Sequence, residues 1–123
     1  MAQIERFEDL KSWQKARELA KLIYGYTSGN PFSKDFELRN QIQRAAGSTM
    51  HNIAEGFDAG SNPEFIRFLK IARRSASEVQ SQLYLALDRN YITSADLEEA
   101  YQMATEIKKL INGLIRYLQK PKN

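Results

Sequence analysis

Cysteine is absent from this chain. Disulfides, thiolate metal sites and a cysteine nucleophile are therefore excluded, and packing alone must hold the fold. Histidine occurs once, at His51, which leaves little from which to build an imidazole-rich metal centre or a histidine-based acid–base site. The three prolines, Pro31, Pro63 and Pro121, stand between or beyond the periodic segments. No uncharged run is long enough to cross a bilayer, and the charged start MAQIERFEDL has no signal-peptide core. A cytoplasmic protein without membrane contact is the expectation. Low-complexity tracts, tandem repeats and linkers are also missing, so 1–123 reads as a single domain.

What the chain does have is helical periodicity, at about 100° per residue, in four segments near 9–28, 34–56, 63–89 and 94–119. In the first, Asp9 is the expected N-cap and SGNPFS the stop. Trp13, Ala16, Ala20, Ile23, Tyr24 and Thr27 form one stripe there, and Leu19, Leu22 and Tyr26 form a second beside it. The second segment carries Leu38, Ile42, Ala45, Thr49, Ile53 and Phe57. The third opens on Asn62-Pro63, an N-cap followed by proline, and carries Phe65, Phe68, Leu69, Ala72, Ala76, Val79, Leu83 and Leu87. In the fourth, Thr93 and Asp96 have the spacing of a capping box, ahead of Leu97, Ala100, Ala104, Ile107, Ile111, Leu114 and Leu118. No stretch alternates as a strand would. Four long helices with short connections predict an all-α, antiparallel up-down-up-down four-helix bundle.

The stretch RAAGSTMHNIAEG at 44–56 has no charged residue from Ala45 to Ala54, in a chain that is 27% charged. On a helix it splits three ways: the core stripe, a narrow polar line of Arg44, Ser48, Asn52 and Glu55, and a small-residue side with Gly47, His51 and Ala54. Ser and Asn are poor choices for an exposed helix interior. One reading is a polar seam bonded across a close helix contact, with Ser75 and Glu78 of the third helix as partners. The other is a solvated stripe.

Catalysis finds little support. His51 and Glu55 have an HxxxE spacing, but a di-metal bundle needs about four carboxylates with Glu-x-x-His pairs, and none is present. Glu55 and Glu78 read better as members of the polar seam than as an acid–base pair. Gly56 and Gly60 sit in a helix-to-helix turn, without the strand that a phosphate-binding loop requires. No enzyme activity, metal or cofactor is expected.

Two surfaces remain. The net charge is +3, and Arg67, Lys70, Arg73 and Arg74 make a basic face on the third helix, with Ser77 and Ser81 continuing it. Lys109 and Arg116 add positive charge on the fourth, together with Lys108, Lys120 and Lys122. Such clusters bind phosphates with little regard to sequence. Tyr84, Tyr91 and Tyr117 are candidates for base stacking. A solvated basic face is the plain alternative. The second surface is apolar: Leu19, Leu22 and Tyr26 on helix one, and Met103, Leu110 and Tyr117 on helix four, lie beside the main stripes. If exposed, they mark an oligomer interface; otherwise they widen the core.

Three stretches carry a resemblance: QIQRAAGSTMHNIAEG at 41–56, FEDLKSWQKARELA at 7–20, and RFLKIARRSASEVQSQL at 67–83 with Tyr91-Ile92 after it. They resemble the "four helix bundle protein" family, also called ribosomal-RNA intervening-sequence proteins because some are encoded inside insertions in large-subunit rRNA genes. The first of these stretches is the most specific, through Gln41, Arg44, Ala45, Ser48, Asn52, Ile53, Ala54, Glu55 and Gly56. Gly47, Met50 and His51 depart mildly from its pattern. The resemblance implies a short up-down bundle that assembles as a ring-like homopentamer. The family is similar to the accessory variability determinant of diversity-generating retroelements, a basic pentameric barrel that binds nucleic acid and a reverse transcriptase. Two functions follow as expectations. One is a low-specificity RNA- or DNA-binding accessory protein. The other is an assembly adaptor for a protein partner, such as a reverse transcriptase, without direct nucleic-acid binding.

Overall fold

The computed structural model describes residues 4–121, which form four helices and, among the described residues, no strand. The helices are α1 (Lys11–Ser28), α2 (Phe36–Phe57), α3 (Asn62–Asp88) and α4 (Ser94–Gln119). Short 3₁₀ turns at Phe7–Asp9 and Phe32–Lys34 precede α1 and α2. Among the described residues, no helix is long and apolar enough to cross a membrane.

Local chemistry fixes where each helix starts. The expected capping box forms: Thr93 Oγ1 accepts from the Asp96 N–H at 3.1 Å, and Asp96 Oδ2 accepts from the Thr93 N–H at 3.0 Å. Two other expected caps are displaced by one residue. Asp9 belongs to the first 3₁₀ turn, and the extended Leu10 stands at the head of α1 with no side-chain cap. Ser61, rather than Asn62, caps α3, its Oγ accepting from the Glu64 N–H at 3.3 Å. Asn62 is thereby freed for its amide to reach the Leu118 carbonyl at 3.4 Å. Asp35 caps α2 through the Leu38 N–H at 3.2 Å.

The end of α3 positions a tyrosine. Asn90 adopts a left-handed φ of 62°, and the N–H groups of Tyr91 and Asn90 return to the carbonyls of Ala86 and Leu87, both at 2.9 Å. This six-to-one and five-to-two pairing is a Schellman ending, which asparagine tolerates better than bulkier residues do. The reversal stacks Tyr91 on Phe32 at 4.9 Å and lets its hydroxyl donate to Asp35 Oδ2 at 2.8 Å. Arg89 Nη1 donates to the same oxygen at 2.9 Å. The Asp35 carboxyl is held below its ordinary range, first by the Tyr91 hydroxyl, then by the Leu38 N–H and Arg89.

The apolar stripes of α2, α3 and α4 face one core as expected, with Ile115 joining the buried set, except that Phe68 of the expected α3 stripe stands outside the core, half-buried between Gly56 and the Arg67 guanidinium. On α1 the expected stripe is rotated. The buried line is Ser12, Ala16, Leu19, Ile23 and Thr27, a regular succession of three- and four-residue steps. Leu19 is therefore fully buried in the chain's own core and is not on offer to a partner, while Tyr24 is 53% exposed. The α2–α3 contact is the most extensive of the helix pairs. Within it, a Cβ added to Gly56 would lie 2.8 Å from Phe68 Cβ and 2.9 Å from Phe65 Cδ1. Only glycine allows that approach.

Candidate nucleic-acid interface

The uncharged stretch of α2 meets α3 through short polar side chains. Ser48 Oγ and Ser75 Oγ are 2.9 Å apart, and Asn52 Nδ2 donates to both Ser48 Oγ and the Ser48 carbonyl, at 2.9 and 2.8 Å. Ser48, Asn52 and Ser75 are thus joined in one hydrogen-bonded group, with Ser75 buried. It does not extend to the charged residues grouped with it. Arg44, Glu55 and Glu78 are exposed, and among the described residues none of them joins a salt bridge. Long charged side chains reach water at lower cost than they can be buried; Arg44 and Glu78 border an open groove of about 260 Å³, and Glu55 is exposed outside it. His51 and Glu55 are both exposed, and no three His, Asp or Glu side chains among the described residues gather into a metal-holding group.

The basic residues of α3 converge with α4. Lys70, Arg73, Arg74 and Ser77 of α3, with Lys108 and Asn112 of α4, line a cleft of about 500 Å³. Four of these lining residues are cations and none is a carboxylate. Two of them are held by neutral acceptors. Arg73 Nη1 donates to Asn112 Oδ1 at 2.7 Å. Lys108 Nζ donates to Gln80 Oε1 at 2.7 Å and to Ser77 Oγ at 3.2 Å. A neutral acceptor fixes the direction of a cation without cancelling its charge, so the cleft keeps its positive potential. The buried Gln80 amide completes the arrangement by donating to Thr105 Oγ1 at 2.9 Å and to the Tyr101 carbonyl at 3.2 Å.

Three of the six basic residues expected to act together are brought into this cleft: Lys70, Arg73 and Arg74. Arg67 stands apart, its Nε 2.7 Å from Glu64 Oε2 and its guanidinium 4.5 Å from the Phe68 ring centre. That ion pair spends part of its charge locally. Lys109 faces a different groove, and Arg116 is exposed outside the cleft. Lys122 lies outside the described residues. Lys108 and Asn112 complete the cleft, and their role depends on which α4 residues sit opposite α3. The pairs Arg73–Asn112, Ser77–Lys108 and Gln80–Thr105 run in opposite numerical directions along the two helices. A repeat of polar residues at four-residue spacing on α4, Lys108–Asn112, was the available signal.

The apolar residues fall on another side of α4. Leu110 and Tyr117 line a groove of about 430 Å³ with Ile4, Leu10 and Leu114, and Lys109 stands at its edge. Leu22, Tyr26, Met103 and Leu110 are half-buried and Tyr117 is 47% exposed. The Tyr26 hydroxyl donates to the Asp96 carbonyl at 3.0 Å. Its ionisation is pushed well above the usual phenol range by burial, and then by the negative charges of Asp96 and Glu99.

Comparison with known proteins adds a family. No curated protein matches the chain. Among solved structures it is similar to a crystal structure of a protein of unknown function from the S23 ribosomal protein family of Bacteroides thetaiotaomicron. That likeness has a TM-score of 0.78 and 32% sequence identity, over 85% of this chain and 95% of the other. The sequence model of the 23S rRNA-intervening sequence proteins matches residues 8–113, which takes in all three stretches that carried the resemblance almost whole. The chain belongs to the 23S rRNA-intervening sequence protein family.

Proposed function

We propose that this protein is a non-enzymatic, cytoplasmic, homo-oligomeric helical bundle that binds RNA or DNA through its phosphates. The single observation that carries the reading is the α3–α4 cleft, where Lys70, Arg73, Arg74 and Lys108 converge with no carboxylate among the lining residues. Phosphodiester oxygens are the acceptors that such a group suits, and contacts of this kind position a strand without reading its sequence. An antiparallel up-down order of the helices is supported by the opposed numbering of the bonded pairs between α3 and α4. Assembly, for which a ring-like homopentamer is the form proposed, is favoured by the half-buried apolar line on α1 and α4. Repetition of one cleft around a ring raises a weak affinity by multivalency.

The test is binding to labelled RNA and duplex DNA across a salt titration. Affinity should fall steeply with salt, and substitution of Lys70, Arg73, Arg74 and Lys108 by serine should abolish it. Absence of binding at low salt, or binding indifferent to those substitutions, overturns the reading. The second reading, an adaptor for a protein partner such as a reverse transcriptase, draws on the apolar groove lined by Leu110, Leu114 and Tyr117. A protein that binds no nucleic acid yet retains a partner through that groove would favour it.

A further inference from the structure

The cationic cleft shares its face with two tyrosines. On α3, Tyr84 lies seven residues from Ser77 and eleven from Arg73, spacings that return to within about 20° of the same helix face. On α4, Tyr101 bears the same relation to Lys108 and Asn112. The two rings meet edge to face, with centres 5.9 Å apart and planes at 74°. Tyr101 is half-buried and braces Tyr84, which leaves Tyr84 50% exposed. Gln80 sits between the aromatic pair and the cleft, joined to Tyr101, Thr105 and Lys108 at once. An aromatic platform and a cluster of cations therefore lie on one strip; at the helical rise per residue, Lys108 is roughly 10 Å along α4 from Tyr101, and Arg73 is roughly 16 Å along α3 from Tyr84.

Each half of that strip answers a different part of one ligand. The cations suit phosphodiester oxygens, whereas a braced, half-exposed ring suits the flat face of a base. In a duplex the bases are stacked on one another and their faces are not available. In a single strand they are. We propose that the α3–α4 strip is a single-strand binding site, with phosphates on Lys70, Arg73, Arg74 and Lys108 and a base stacked on Tyr84. This rests on the phosphate-binding reading above and adds the strandedness of the ligand and the residue that selects it. Because every base has such a face, the site discriminates single from double strands without reading sequence.

Fluorescence anisotropy with a labelled oligouridine, the matching oligothymidine and a DNA duplex of the same length tests it. Tyr84→Leu should weaken both single strands by roughly tenfold, the worth of one stacked base, and leave duplex binding and the salt dependence unchanged. Tyr84→Phe, which keeps the ring, should restore single-strand affinity. Tighter binding of oligouridine would assign the strand as RNA, and equal binding would assign the shared phosphodiester chemistry; both support the site. Unchanged single-strand affinity in Tyr84→Leu, or an equal loss on the duplex, overturns the stacking proposal while leaving phosphate binding intact. Failure of the wild-type protein to bind any of the three at low salt overturns both. As a check that needs no variant, photo-crosslinking with 5-iodouracil in the oligonucleotide should label the peptide that carries Tyr84. A crosslink confined to other peptides counts against the proposal.

Discussion

Ser48 Oγ on α2 and Ser75 Oγ on α3 are 2.9 Å apart across a helix pair close enough that Asn52 can donate to the same Ser48 oxygen. Two hydroxyls set the spacing of the helices at this point, at the floor of the groove of about 260 Å³ that both serines line. Ser75→Ala should cost about 1 kcal/mol or less, because Ser48 keeps Asn52 as a partner and alanine favours the helix. Ser75→Leu should cost more, about 1–3 kcal/mol, by forcing the helices apart. Urea unfolding of the two variants checks the order; a leucine tolerated as well as alanine would mean that the seam is loose.

Glycines in α1 and α2 should respond oppositely to alanine. At Gly56 the added methyl meets Phe68 Cβ and Phe65 Cδ1 inside ordinary contact distance, so overpacking of about 1–3 kcal/mol should outweigh the helix-propensity gain. At Gly25 the same methyl meets nothing within 4 Å, and Gly25→Ala should stabilise by up to about 1 kcal/mol. Thermal melting of both variants is the measurement.

Asp35 predicts a pH dependence of known sign. Its carboxyl is lowered in the folded protein by the Tyr91 hydroxyl, the Leu38 N–H and Arg89. A depressed folded value means that the stabilisation is complete above the unfolded value of about 3.9 and is lost as pH falls through the folded one. Wild type should therefore melt above Asp35→Asn near neutral pH, and the two should converge in acid. A constant gap at every pH would show that the charge of Asp35 contributes nothing.

Within the basic residues, geometry separates participants from bystanders. Arg73→Ser should reduce the slope of log affinity against log salt by about one. Arg67→Ser should leave that slope nearly unchanged, since Glu64 already pairs with Arg67. Salt titrations of the two variants side by side decide between a focused cleft and a diffuse basic face.

Tyr117 provides the test of assembly, being the most exposed of the expected interface residues. Wild type should sediment as an oligomer at micromolar concentration, and Tyr117→Asp should yield a smaller species with unchanged helical content. A monomeric wild type overturns the homo-oligomer.

Much of this was legible in the sequence because it depends on one helix at a time. The stripes of α2, α3 and α4 and the Thr93–Asp96 capping box follow from spacing within a segment. The errors cluster where two segments must be known together. Leu19 and Tyr24 exchange places because two apolar arcs on α1 compete, and only the position of the neighbouring helices decides which is covered. Ser48 and Asn52 were legible as seam residues, whereas the exposure of Arg44, Glu55 and Glu78 reflects a choice between water and burial that no spacing encodes. Lys108 joins Arg73 only through the register of α4 against α3, a property of the pair.

The Asp35 junction bears on how the molecule comes apart. One carboxylate serves the first turn of α2 through Leu38 and the turn after α3 through Tyr91 and Arg89. If the connection before α2 loosens, Tyr91 and Arg89 lose their acceptor, and if the turn after α3 loosens, Asp35 Oδ2 loses both of its donors. The two crossovers at that end should therefore breathe as one cooperative unit, opening together rather than fraying in turn.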